Sequence, residues 1–233
     1  MISPKKNDFV DIHTHNGSVI PEVFKIKCLM AHLREYPHEY PDLACSVGAH
    51  PWYLKEENLL QDLGHVSIVA TGENILAIGE IGLDKTKDVD MSLQIRAFEI
   101  QAKMAEKLRK PVIVHCVKAW DELLNVRERI DPQMPWLVHG FMGSIELANQ
   151  LISKGMFLSL WYSFALSSRS TEVIRQLPID KFLLETDSSD ADIKEIYTKV
   201  AGDLGLSVDD LRIQMRKYFD AFTPTRCKCH DNE

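Results

Sequence analysis

Short runs rich in Val, Ile, Leu and Phe alternate with longer stretches of helical period along nearly the whole chain, and this alternation limits the folds open to it. The runs cover residues 9–13, 22–29, 43–47, 75–79, 111–115, 136–139, 157–160 and 182–185, eight in all, the second weakened by Lys25 and Lys27. The clearest helix is expected over 91–109. There Leu93, Ala97, Ile100, Met104 and Leu108 recur at spacings of three and four, with Asp90 as a cap and Pro111 beyond the end. Further helices are expected over 119–129, 144–153, 168–176, 191–203 and 208–221. Such alternation predicts a parallel sheet covered by helices. Eight repeats favour closure into a (β/α)8 TIM-type barrel over an open doubly wound sheet. No Pro/Gly/Ser-rich linker divides the chain, so a single domain is expected over 1–233, with 224–233 as a flexible tail.

Composition narrows the function classes. The 233 residues are 45% hydrophobic, enough for a sizeable core. No apolar run approaches the roughly 18 to 20 residues of a membrane helix, and the opening Met1-Ile2-Ser3-Pro4-Lys5-Lys6-Asn7-Asp8 has no signal-peptide stretch. A cytoplasmic protein is expected, with no membrane and no obligatory protein partner. A net charge of −7 argues against a broad basic face for duplex nucleic acid, but leaves room for a local cationic site made by metal ions. Cys28, Cys45, Cys116, Cys227 and Cys229 are odd in number and unevenly spread, which points to reduced thiols. Cys227-Lys228-Cys229-His230 lacks a second ligand pair at zinc-ribbon spacing and is expected to be polar tail.

Metal-competent residues fall repeatedly at the carboxyl ends of the apolar runs. His13 and His15 end the first, His50 follows the third, Glu80 and Asp84 follow the fourth, His115 ends the fifth, His139 the sixth, and Asp187 follows the eighth. In a (β/α)8 barrel all those ends converge on the face that carries the active site. Each residue alone has a plainer reading. Glu80 alone fits a surface loop, His115 and His139 fit strand-end hydrogen bonds, and Asp187 fits a helix N-cap. Their coincidence on one face does not fit these readings. His13 and His15, two apart on a strand, face the same side and are hard to satisfy without a ligand or charge partner.

Four imidazoles and two carboxylates suit a pair of divalent transition ions such as zinc, manganese or iron, with a carboxylate bridging them. Two such ions, about 3.5–4 Å apart, activate water and stabilise both oxygens of a phosphodiester displacement. Cys116 follows His115 directly and is expected to point away from the site. Trp161-Tyr162-Ser163-Phe164 fits either base stacking or ordinary packing above the barrel. Trp52 is expected to line the mouth of the site.

At these residues the sequence resembles the TatD family of metal-dependent hydrolases. The blocks run in order: Asp11-Ile12-His13-Thr14-His15, Ser46-Val47-Gly48-Ala49-His50-Pro51, and Gly79-Glu80-Ile81-Gly82-Leu83-Asp84. Phe98, Gln101 and Ala105 follow on the helix, then Pro111-Val112-Ile113-Val114-His115, His139-Gly140-Phe141-Met142-Gly143-Ser144 and Leu184-Glu185-Thr186-Asp187. The resemblance implies a TIM-type barrel with a two-metal site (Mg, Mn or Zn) and metal-dependent deoxyribonuclease activity, often as a 3′→5′ exonuclease. By position it implies that His13, His15 and Asp187 hold one ion, that Glu80 bridges, and that His115 and His139 hold the other. Asp187 and Glu80 would be the catalytic carboxylates, and His50 and Trp52 would meet the substrate.

The chain also departs from the family. Val117 stands where an arginine is common, Trp52 where many members have histidine, and Asp187-Ser188-Ser189-Asp190-Ala191-Asp192 replaces a longer Arg- and Pro-bearing loop. The leading expectation is a metal-dependent phosphodiesterase acting on DNA ends or short single strands. The alternatives are hydrolysis of a small ester, amide or lactone, and a non-catalytic metal-dependent binding protein on the same barrel.

Overall fold

The computed structural model describes residues 2–224, so Cys227, Cys229, His230 and nearly all of the expected tail lie outside the described residues. Eight parallel strands form one sheet in chain order. They are β1 (Phe9–Thr14), β2 (Val23–Met30), β3 (Ala44–Gly48), β4 (Ile75–Asp84), β5 (Val112–Val117), β6 (Trp136–Phe141), β7 (Met156–Trp161) and β8 (Phe182–Glu185). The helices are α1 (Leu59–Val69), α2 (Met91–Leu108), α3 (Trp120–Ile130), α4 (Ile145–Ser153), α5 (Tyr162–Ala165), α6 (Ser170–Gln176), α7 (Ile193–Leu204) and α8 (Val208–Phe222). The architecture is the expected TIM-type barrel, and every apolar run is a strand.

The sheet nearly closes at the β1/β8 seam, where side chains supplement a short stretch of backbone pairing. Near the start of β1, Tyr197 of α7 accepts from Val10 N at 3.0 Å and donates to Val10 O at 3.1 Å. Next, Asp11 accepts from Thr186 N at 3.0 Å and from Thr186 Oγ1 at 2.6 Å. Burial pushes the Asp11 carboxyl up to about 7 although both Thr186 bonds pull it down. At the top, His15 N donates to Asp187 O and Asp187 N to His13 O, at 2.8 and 3.0 Å.

Three features differ from the sequence expectation. Strand β4 runs to Asp84, past its expected end at Gly79, because its backbone stays paired with β5 after the apolar pattern breaks at Glu80. Gly82, at φ +147°, permits this close approach, since a Cβ there would lie 1.9 Å from His115 O. Helix α1 was not expected, and no helix joins β1 to β2, while only the 3-10 turns Ala31–Leu33 and Pro37–Glu39 lie between β2 and β3. The lysines that weaken the second run are buried in β2, where Lys27 Nζ donates to Cys28 O at 2.5 Å and meets Glu35 Oε1 at 3.3 Å.

Helix α2 reaches the carboxyl ends of β3 and β4 as well as the core. Its Leu93, Ala97, Phe98, Ala102 and Ala105 are buried, and Asp90 caps it by accepting from Leu93 N. Two buried glutamines on the helix then grip backbone. Gln101 accepts from Ala49 N at 2.7 Å and donates to Ala49 O at 3.2 Å, which fixes the residue before His50. Gln94 accepts from Asp84 N at 2.7 Å and donates to Asp84 O at 3.0 Å. Among the described residues, no helix is long and apolar enough to cross a membrane.

Candidate metal centre

Glu80, inside β4 rather than in a loop after it, lies at the centre of the histidines. Its Oε1 is 2.7 Å from His139 Nε2, 2.8 Å from His50 Nε2 and 2.9 Å from His115 Nδ1. Its Oε2 is 3.4 Å from His13 Nε2 and 3.4 Å from His15 Nε2. Asp187 Oδ1 stands 3.5 Å from His15 Nε2 and 3.8 Å from His13 Nε2. The two carboxylate oxygens thus face two different sets of imidazoles. Burial alone would raise the Glu80 carboxyl, but the imidazoles, His139 foremost, hold it well below the usual range. Burial alone would lower the His139 imidazolium, but Glu80 and Glu185 hold it well above the usual range.

The hydrogen bonds assign the tautomers. His50 Nδ1 accepts from Trp52 N at 3.1 Å, so the neutral ring carries its proton on Nε2 and donates to Glu80. His50 therefore supports the carboxylate and has no lone pair left to offer on that side. His115 Nε2 lies 3.1 Å from Asp84 Oδ2. Burial would raise the Asp84 carboxyl, but bonds from Thr86, His115 and Trp52 hold it at about 2, so His115 donates to it from Nε2. With Nε2 as the donor to Asp84, the His115 Nδ1 lone pair and Glu80 Oε1 face each other at 2.9 Å as two acceptors, a pair that a cation between them would satisfy, and His139 Nε2 lies 3.3 Å from the same nitrogen.

Donor atoms crowd together here in the way a cation requires. His13 is fully buried, yet neither of its ring nitrogens makes a hydrogen bond. A buried polar atom without a partner costs about 1–3 kcal/mol, and a bound cation would remove that cost. Donor atoms of His13, His139 and Asp187 lie within 4.8 Å of one another, as do those of Glu80 and His115 beside the supporting His50. The residues present therefore fit divalent ions. His15, His50, Glu80, His115, His139 and Asp187 line a cavity of about 340 Å³, with Met30, His32, Leu33, Trp52, Tyr53 and Ser188 around them, while His13 lies buried behind it.

All the sequence-expected site residues come together on this face. Trp52 lines the cavity, 40% exposed, with Nε1 donating to Asp84 Oδ2 at 2.6 Å. Asp187 is not a helix N-cap. It takes φ 54° with its backbone bonded to β1, and Asp192 caps α7 instead. Trp161, Tyr162, Ser163 and Phe164 end β7 and form α5 without lining the cavity. Cys116 is buried and belongs to none of the donor groups.

Two carboxylates support the histidines: Asp84, which the sequence reading places on this face without a specific task, and Glu185, which it does not single out. Asp84 orients His115. Glu185, fully buried, accepts from Gly140 N at 2.6 Å and Ser159 Oγ at 2.5 Å, with Oε1 3.5 Å from His139 Nδ1. The available signal for Glu185 was an acid ending the apolar run 182–185 with no basic residue beside it.

The chain is similar over most of its length to proteins already described. A 1.8 Å crystal structure of YjjV, a TatD homologue from Escherichia coli, covers 94% of this chain and 99% of its own, with a TM-score of 0.77 at 21% identity, a likeness of fold. An uncharacterized metal-dependent hydrolase of Haemophilus influenzae is 30% identical over 161 residues, 65% of this chain and 61% of that protein. The human 3′-5′ RNA nuclease TATDN2 is 32% identical over 156 residues, 60% of this chain and 19% of that protein. The matched part of the chain thus spans less than two thirds of either curated relative. The sequence model described as TatD related DNase matches residues 13–201, from the first histidine of the centre to the helix behind its last carboxylate, and the chain belongs to that family.

Proposed function

We propose that the chain is a metal-dependent hydrolase that cleaves phosphodiester bonds at the ends of single-stranded nucleic acid, with two divalent ions bridged by Glu80. The observation that carries this reading is the division of the Glu80 carboxylate, with Oε2 facing His13 and His15 and Oε1 facing His115 and His139. His13, His15 and Asp187 would hold one ion, and His115 and His139 the other. Divalent ions bound there would lower the pKa of water and neutralise phosphate charge.

The chain's own groups supply the rest. Asp187, its side chain 20% exposed against 4% for Glu80, is the more open carboxylate and is placed to take the proton of the attacking water at Oδ1. Its backbone bonds to His13 and His15 hold it there. Asp84 keeps His115 in one tautomer, and Trp52 closes the cavity wall beside it. Lys87 Nζ lies over the Trp52 ring, 4.0 Å from its centroid, and puts a positive charge at the cavity mouth that suits a substrate phosphate. The description of the family as DNase and of the human relative as an RNA nuclease supports a nucleic-acid substrate.

Purified protein should lose hydrolysis of single-stranded DNA on chelation and regain it with magnesium, manganese or zinc. Product lengths from strands labelled at the 3′ or the 5′ end give the polarity. Turnover that survives chelation contradicts the reading, as does carbonyl-ester turnover well above that of dinucleotides.

A further inference from the structure

Strand β2 contributes no residue to the ligand set described above, yet its side chains reach the same place. Cys28, fully buried at the barrel interior, has its Sγ within 4.8 Å of donor atoms of His13, His15 and Glu80, all four atoms lying within that distance of one another. The thiol makes long contacts, 3.8 Å to Gly79 O and 3.8 Å to Met30 Sδ. A buried cysteine is often just a small apolar residue. Here a second observation points to a ligand, because the fully buried His13 ring next to it has no hydrogen bond at either nitrogen.

We propose that Cys28 is a sulfur ligand of the ion held by His13, His15 and Glu80, giving that position a soft donor and a preference for zinc-class ions over magnesium. A zinc-class ion bonds thiolate at about 2.3 Å and imidazole at about 2.0–2.1 Å, so donors on one ion lie roughly 3.5 Å apart, within reach of this cluster. Binding breaks the Cys28 S–H bond, forms a sulfur–metal bond and releases the proton to solvent, with no change of oxidation state. Metal binding and loss of the thiol proton are coupled, so the sulfur becomes a ligand as the cation arrives. Thiolate selects zinc-class ions, whereas magnesium and manganese favour carboxylate oxygen, so the sulfur separates the two groups of metals. The proposal rests on the metal centre proposed above and adds to it a donor and a metal class.

The test is cobalt substitution. Protein stripped by chelation is reloaded with cobalt(II), and its absorption spectrum and cobalt content are measured for the native chain and for Cys28→Ser. The native chain should show a sulfur-to-cobalt charge-transfer band in the near ultraviolet. Cys28→Ser should lose that band while keeping the visible cobalt bands. Its zinc affinity should fall by about tenfold or more, with manganese affinity unchanged. If Cys28→Ser does not fold, Cys28→Ala, which keeps a small apolar side chain, serves the same comparison. Cobalt bound without the charge-transfer band, or a band that survives substitution of Cys28, overturns the sulfur ligand and leaves the metal centre standing. No bound cobalt at all overturns both.

Discussion

Trp52 Nε1 donates to Asp84 Oδ2 at 2.6 Å, and the same oxygen lies 3.1 Å from His115 Nε2. One carboxylate thus ties a cavity-lining aromatic ring to a histidine of the centre. Asp84→Ala removes the group that sets the His115 tautomer and should lower metal affinity about 10- to 100-fold, with the fold retained. Competition with a chelator of known affinity measures this. Native affinity in the variant would show that Asp84 does not orient His115.

The amide of Gln101 grips both backbone groups of Ala49, just before His50. Gln101→Leu keeps the volume but leaves a buried N–H and C=O unpaired. Stability should fall by about 1–3 kcal/mol per orphaned group. Urea unfolding checks it, and an unchanged midpoint would mean that the helix does not hold this loop.

The proposed function gives Asp187 proton transfer as well as ion binding. Asp187→Asn keeps an oxygen ligand but weakens the base, so turnover should fall about 100- to 10,000-fold. Metal content, measured by elemental analysis, should fall much less than turnover. Equal loss of both would make Asp187 a ligand alone.

The strands were legible because β-branched and apolar residues cluster in short runs, and because metal-competent residues mark the run ends. Legibility failed where polar side chains replace that pattern. Strand β4 continues through Glu80, Gly82 and Asp84, which look like a loop until the pairing with β5 is seen. Helix α1 buries Leu59, Leu63, Val66 and Val69 at spacings of four and three, but exposed Leu60 and Ile68 and buried Asp62 and His65 blur that period in the sequence. Strand β2 is obscured by Lys25 and Lys27, and with it the approach of Cys28 to the centre. The histidines and acids of the site could be named from their positions. The supporting bonds of Asp84, Glu185, Gln94 and Gln101 could not, because they depend on which backbone and ring atoms the fold brings within reach.

The central claim is that Glu80 bridges two ions, and metal content per chain, measured together with turnover for the native protein and Glu80→Ala, tests it most directly. The account predicts about two divalent ions per native chain, and in Glu80→Ala a fall in metal content together with turnover. Glu80→Ala with native metal content and native turnover would contradict it.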